Sequence, residues 1–457
     1  MLKTYWVQKS IGEELLKKLG LRLVGIIFWL IMYSNPHKAL SFDRLHFLHL
    51  RIWGKHLYSE LKIILGYLGR NAEATVEGYA KDFPRWHKFA HFKTILQQLF
   101  YSTLNVLTPA PSPEGYLLLE LISSYLQLDS LIGLDVHMEN MLTNIEVELL
   151  VFNRRLKAYL DVAEKSAIPN LKVNWDFPKT HLWKHVTSDI QNKDCSNGRD
   201  IEGQILQVDQ HILACKLLWS QIDLFDKWTQ SRTGEDDDGD DSNQEPTLHQ
   251  FSGHFRLGSL HKPETILELE INHSMKDCTF VGFRKKFTDF INEFLPSCGH
   301  ELTRWLFIPT HFKMCKYCYL KVHYELLVDW RKATDYICCK PLFHRHPRYD
   351  CALIQLMPTQ TAFVCLILLF TCEITGFRVL QLTLVQPYTT GIGAQCQIDH
   401  QLKLTRVRAI LRGSSIFIPV DSIIHSTLLY PDPAHKDDFL VVDHINGDMF
   451  LCMKTWE

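Results

Sequence analysis

The chain has 457 residues, 46% of them hydrophobic and 22% charged, with a formal net charge of −2. At roughly 100–200 residues per domain that length predicts more than one core, and the composition is that of an ordinary globular protein. The charge excludes a uniformly basic chain, so any surface that grips phosphate must be local.

All 13 cysteines lie at or beyond Cys195, and no basic, apolar and small-residue leader opens the chain. The thiols are therefore read as reduced, and the protein as intracellular, nuclear or cytoplasmic. The first long apolar stretch, "LVGIIFWLIMY" (23–33), is shorter than the ~20 residues a bilayer span needs. The uncharged run from Cys351 to Cys372 is long enough, but "MPTQT" (357–361) interrupts it. Pro358 among polar neighbours predicts a turn between two buried strands, and no membrane partner is expected.

In chain order, Ser41 to about Leu68 has a helical pattern, with Ser41 or Asp43 as N-cap and Gly66 and Gly69 as the stop. Residues 112–136 open with Pro113 and Glu114 and continue apolar nearly all round, which predicts a buried helix. Residues 144–166 keep apolar side chains on one stripe and predict an antiparallel neighbour. Residues 203–231 space Ile205, Val208, Ile212, Cys215 and Leu218 by three and four, so one face is committed to a core.

"GEDDDGDDSNQEPT" (234–247) has no apolar residue to bury and is expected to be a disordered acidic linker. Its aspartates do not have the spacing of a calcium loop. Next, "FVGFRKKFTDFINEFLP" (280–296) predicts a basic amphipathic helix whose Arg284, Lys285 and Lys286 either contact phosphate or form a solvated face. "YCYLKVHYELLVDW" alternates and then turns helical. From Tyr349 onward seven short segments predict strands, among them "AFVCLILLFTC", "DFLVVDHI" and "DMFLCMK", the last two joined by an Asn-Gly hairpin.

The fold class expected is α+β: a mostly helical N-terminal half, the acidic linker, and a small C-terminal β-barrel or sandwich. The boundaries expected are 1–230, 231–250 for the linker, 251–345 for a mixed helical region and 346–457 for the β-rich domain.

Two constellations bear chemistry. Cys315, Cys318, Cys338 and Cys339, with His344, His346 and Cys351, have spacings that a zinc site accepts, but no glycine-bearing knuckle surrounds the Cys-x2-Cys pair. Buried free thiols are the alternative. In "KALSFDRLHFLHLRIWGKHL" (38–57), Asp43 and His46 share the first turn of a helix. There a carboxylate can cap the helix, or bind a divalent cation that an imidazole helps to orient. Phosphate-binding glycine loops and the Gly-x-Ser-x-Gly elbow are both absent from the sequence.

Longer phrases say more than any spacing. Residues 20–46, "FPRWHKFAHF" (83–92), "VLTPAPSPEGYLLLELISSYLQLD" (106–129) and "NWDFPKTHLWKHVTSDIQNK" (174–193) resemble the Plavaka transposases of fungi, a branch of the CACTA-type elements. The C-terminal phrases "YLKVHYELLVDWRKATDYICCKPLFHRHPRYDCALIQL" and "SSIFIPVDSIIHSTLLYPDPAHKDDFLVVDHINGDMF" resemble the same family.

The resemblance implies a DDE-type enzyme with an RNase H-like core, in which three acids hold two Mg²⁺ or Mn²⁺ ions for DNA cleavage and strand transfer. It implies Asp43 as the second acid and a metal ligand, His46 as the histidine that follows it in the family's Asp-x-x-His pattern, and the later helices as the insertion before the third acid. The partners implied are DNA at transposon ends and a second copy of the chain, with no small-molecule substrate.

The chain also departs from the family. The family's first acid would fall before Met1, and the "PNEKxHGPLK"-like phrase of the third is missing after Lys193. Asp189 and Glu202 lie nearby without its context. One acid of three cannot hold two metals well enough for strand transfer. The expectation is a truncated, internally deleted and catalytically inactive relative, with a non-enzymatic scaffold that binds nucleic acid or protein as the alternative.

Overall fold

A computed structural model of the chain describes residues 45–84, 91–134, 136–175, 186–191 and 254–454, apart from 301, 329, 344–345, 358–359, 375–376, 378 and 391–396, together with positions 10, 11 and 14. The fold is α+β, with a C-terminal antiparallel half-barrel sheet. The chain divides into two units, one of Met1–Tyr58, His137–Leu150 and Lys172–Gln250, the other of Ser59–Val136, Val151–Leu171 and Phe251–Glu457. The helix expected at 203–231 and the acidic linker lie outside the described residues.

In the first unit the described residues centre on the helix Leu45–Leu57, wound wider than an α-helix. Leu48, Ile52, Trp53 and Leu57 are its buried face. His56, on the same helix, packs its ring 5.3 Å from that of Trp175.

The second unit carries the sheet. The strands β1 (Phe255–Leu260) and β2 (Glu264–Thr265) precede two helices, Ile266–Ser274 and Phe283–Ser297. After them come β3 (Lys313–Glu325), β4 (Lys332–Phe343) and β5 (His346–Tyr349). Then follow β6 (Cys351–Met357), β7 (Gln360–Glu373) and β8 (Val379–Thr390). The set closes with β9 (Arg406–Ala409), β10 (Ile416–Pro419), β11 (Ile423–Thr427), β12 (Leu429–Pro431) and β13 (Asp438–Val441).

The main path through the sheet is β12-β13-β9-β8-β7-β3-β4-β5. The sheet begins at Phe255, so strands run on both sides of the boundary expected at 345/346. β7 is the spine, and its two halves have different partners on one edge. Residues 360–365 pair with β6, while 369–372 pair with β3. Its interior run Val364–Leu369 is buried on both faces, as a near-continuous apolar segment requires. Met357 pairs with Gln360, and Pro358, where a turn is expected, lies outside the described residues. Among the described residues no helix is long and apolar enough to cross a membrane.

Two layers of core flank the spine. On one side the helix Ile266–Ser274 packs Ile266 and Leu269 into the core, and Phe283–Ser297 brings Phe283 and Phe287 against Phe370 and Phe417, with ring centroids 5.3–5.8 Å apart. On the other, Leu320, Val322, Ile337, Ile354, Val364 and Val385 fill the hollow of the half-barrel. The first helix starts with a full capping box between Thr265 and Glu268.

The helix Pro113–Ile132 opens at Ser112, whose side chain accepts from the Gly115 N–H, and it is buried nearly all round as expected. Its polar residues explain how that burial is tolerated. Tyr116 donates to Gln401 Oε1 at 2.5 Å, Ser123 donates to the Leu402 carbonyl at 2.7 Å, and Ser130 pairs with His444 Nδ1 at 3.0 Å. These three side chains thereby recover hydrogen bonds that burial takes from water.

Two local expectations are corrected. "ELLVDW" is no helix; β3 ends at Glu325 and the chain turns, with Trp330 in the left-handed region at φ 56°. "DMFLCMK" is no strand; Gly447–Lys454 is a helix, because the Asn446 side chain accepts from the Met449 N–H and caps it rather than forming a hairpin.

An ionic knot closes the far edge of the sheet. Arg406 binds Asp399 through two bonds of 2.7 and 3.0 Å, also binds Asp432, and lies 3.8 Å from Asp438. Burial alone would raise the Asp432 carboxyl, but hydrogen bonds from Arg406, His435, the Ala434 amide and Asn105 outweigh it and hold it at about 2. The depressed value means that the stabilisation is complete above the unfolded value of 3.8 and is lost as pH falls through about 2. Chemical denaturation should show this loss between those limits for the wild type and not for Asp432→Asn. Arg406→Met, which removes the cation that Asp399 and Asp432 share, should cost about 3–5 kcal/mol at neutral pH.

Candidate nucleic-acid interface

The outer face of β1, β3 and β4 is built on a simple alternation. In "YLKVHYE", Leu320 and Val322 point into the half-barrel and are fully buried. Successive strand residues face opposite sides, so Tyr319, Lys321 and His323 point outward. Pairing extends this into rows across three strands. Arg256, Lys321 and Tyr336 form one row, and Gly258, Tyr319 and Cys338 form the next.

Gly258 is required by its neighbour. A Cβ there would lie 2.2 Å from Cζ of Tyr319, so the phenol ring lies over the bare backbone. Tyr336 stands beside it, with ring centroids 6.1 Å apart, and is 41% exposed. Lys321 Nζ sits 4.9 Å from the centre of the Tyr336 ring. An open cleft of about 350 Å³ runs along β1 and β3, lined by Arg256, Ser259, Tyr317, Tyr319 and Lys321 among others.

Arg256 and Lys321 are like charges directly opposite one another, a cross-strand arrangement that costs stability unless an anion lies between them. Further along, Glu325 stands opposite Lys332, so the positive character is concentrated at the Arg256–Lys321 row. The exposed Tyr336 and half-buried Tyr319 beside paired cations form a surface on which bases can stack while phosphates are neutralised. Alternation alone could have revealed it, but the cysteines of this segment give the stronger motif and draw attention away from its tyrosines and lysines.

The basic helix expected to offer a phosphate contact is partly committed elsewhere. Lys286 donates to the carbonyls of Gly413 at 2.7 Å and Thr279 at 3.3 Å, while Arg284 and Lys285 are exposed.

Asp43, the implied catalytic acid and metal ligand, lies outside the described residues, as does Glu202. His46 falls within the helix Leu45–Leu57 and Asp189 within Val186–Gln191, and only their backbones are described. His56 is held as a neutral ring: burial, then Lys172, Arg51 and Lys55, lower it to about 4. Lys172 Nζ lies 3.2 Å from its Nδ1.

The cysteine group divides among separate partners. Cys318 Sγ lies 2.6 Å from His261 Nε2, while the amide of Cys338 donates to Asp350 at 2.8 Å. Burial and then Asp350 push the Cys338 thiol up to about 11, and Cys339 is buried in the half-barrel core.

Among the described residues a different trio brings metal-ligating atoms within 4.8 Å of one another: His425, Asp448 and Cys452. Asp448 and Cys452 are one turn apart on Gly447–Lys454, and His425 lies on β11. Cys452 Sγ is 3.5 Å from His425 Nε2. His425 Nδ1 faces the Ser426 carbonyl at 2.8 Å, and Asp448 Oδ1 accepts from the Leu327 amide at 2.5 Å. Burial and then Asp448 push the Cys452 thiol up to about 12, the opposite of an activated nucleophile. Positions 448 and 452 share a face in a strand or a helix alike, so the trio is hidden because His425 comes from β11, outside the local sequence.

Compared with protein-family models, curated proteins and solved structures, the chain matches none of them.

The neutral state of His56 has a direct check. Its imidazole NMR signals should titrate near pH 4, and Lys172→Met should move that midpoint upward, toward the ordinary histidine value of 6.5. Because the folded value is depressed, the first unit should lose stability as pH falls from 6.5 toward 4.

Proposed function

We propose that the chain is a nucleic-acid-binding protein of transposase descent, in which the outer face of β1, β3 and β4 is the binding surface. One observation carries this reading. Arg256 and Lys321 face each other across a strand pair, between Tyr336 on one side and the Gly258-supported Tyr319 on the next row. Such a face neutralises phosphates and stacks bases without reading base edges, so it favours single-stranded or distorted DNA over a particular sequence.

The resemblance to Plavaka transposases supplies the context. In this reading the N-terminal half descends from an RNase H-like core with its helical insertion, and DNA at transposon ends is the ancestral ligand. A second copy of the chain is the expected protein partner, and the nucleus is where both would meet DNA. Mg²⁺ or Mn²⁺ would have been held by Asp43 and its two partner acids. Asp43 lies outside the described residues, so no catalytic step is assigned to it, and binding is the activity proposed.

The test is fluorescence anisotropy with labelled single-stranded and duplex DNA over a range of salt. Binding should weaken as salt rises, and Arg256→Ala with Lys321→Ala should flatten the log–log slope by roughly 1.4–1.8, at about 0.7–0.9 for each phosphate no longer neutralised. Tyr336→Ala should weaken single-strand binding by about 1–3 kcal/mol while leaving the slope in place. Wild-type binding without salt dependence would defeat the proposal and favour a protein-binding scaffold.

A further inference from the structure

We propose that His425, Asp448 and Cys452 form a zinc site that fastens the C-terminal helix to the sheet. The first argument is the donor set. Imidazole nitrogen, carboxylate oxygen and thiolate sulfur together suit Zn²⁺, whereas Mg²⁺ and Ca²⁺ take oxygen ligands and do not accept a thiolate.

The second argument is distance. Bonds of about 2.3 Å to sulfur and 2.0–2.1 Å to nitrogen, at a tetrahedral angle, set the ligand atoms about 3.6 Å apart. Cys452 Sγ and His425 Nε2 are 3.5 Å apart, and the carboxylate of Asp448 lies within 4.8 Å of both. Asp448 and Cys452 come within 4.8 Å of each other because they are four apart on one helix, so their side chains share a face.

The third argument is orientation. A carbonyl only accepts, so the 2.8 Å contact with Ser426 O places the proton of His425 on Nδ1 and leaves the Nε2 lone pair facing Cys452. An outer partner of this kind sets tautomer and ring direction in metal-bound histidines. Asp448 is likewise held by the Leu327 amide. The Tyr324 ring packs 5.4 Å from that of His425 and walls the site. His425 and Asp448 are each 3% exposed, which suits a structural rather than a substrate-binding ion.

The trio is one ligand short of the four that close a structural site, and a water molecule would complete the tetrahedron. On binding, the S–H bond of Cys452 breaks, its electron pair goes to the metal and the proton goes to solvent, so affinity should fall as pH is lowered. A thiol–imidazole hydrogen bond would produce the same sulfur–nitrogen distance, and the experiment separates the two.

The metal-depleted full-length chain is titrated with Co²⁺ and then Zn²⁺. The expected result is one equivalent of metal per chain, a near-ultraviolet thiolate-to-cobalt band that zinc abolishes, and a higher melting temperature with zinc. Cys452→Ser should eliminate the band and weaken zinc by more than the roughly 10–100-fold that losing an outer partner costs, whereas Cys318→Ser should leave both unchanged. Should Cys452→Ser fail to fold by circular dichroism, alkylation of the wild-type chain followed by mass spectrometry decides. Zinc should protect Cys452, and unprotected alkylation would overturn the site. A wild-type chain without the thiolate band, or a folded Cys452→Ser chain that retains it, would also overturn the site.

Discussion

The half-buried guanidinium of Arg406 is the constraint on which the second unit turns. Asp399, Asp432 and Asp438 converge on it, and each of their side chains is at most 5% exposed. Desolvating three carboxylates is unfavourable unless cations and hydrogen-bond donors compensate. Arg406 provides two bonds to Asp399, while Arg408 provides two more to Asp438 at 2.5 and 3.0 Å. The knot thereby fixes three pieces at once: the helix Gln397–Leu402, strand β9 and the turn between β12 and β13.

The C-terminal residues inherit that position. β13 runs into residues 443–445, where His444 contacts Gln127 and Ser130 of the buried helix Pro113–Ile132. Asn446 then caps Gly447–Lys454, and close packing of Gly447 against Leu134 and Val328 sets where that helix begins. A Cβ at Gly447 would meet Val328 at 3.0 Å and Leu134 at 3.1 Å, so a side chain there would require these neighbours to give by a few tenths of an ångström. Asp448 and Cys452 reach His425 because these contacts hold the helix close to β11.

Legibility in the sequence tracked the strength of the local pattern. The buried run of β7 and the all-round apolar helix at 113–132 stand out because burial on both sides leaves an unbroken apolar signal. "ELLVDW" and "DMFLCMK" failed for the same physical reason: an apolar run that short has no periodicity able to separate strand, turn and helix. Asn446 decided the second case, because its side chain serves equally well in a hairpin turn and as a helix cap, and only tertiary contact at Gly447 selects between them. The zinc trio was illegible because β11 brings His425 to the helix from outside the local sequence, and a local scan of Cys and His spacing favours the Cys315–Cys351 region instead.

The outer face of β3 shows what alternation can and cannot carry. The same strand alternates between Leu320 and Val322 inside and Tyr319, Lys321 and His323 outside, so its two faces answer to different demands. Packing explains the inner set completely. It does not explain the outer one, since placing Lys321 opposite Arg256 works against the pairing that positions them. Nor does packing require an aromatic ring over Gly258 where a smaller residue could form the same ladder. Under the proposed function, a stacked, phosphate-bearing ligand would account for both features with one interaction, by neutralising the cations and packing on the rings.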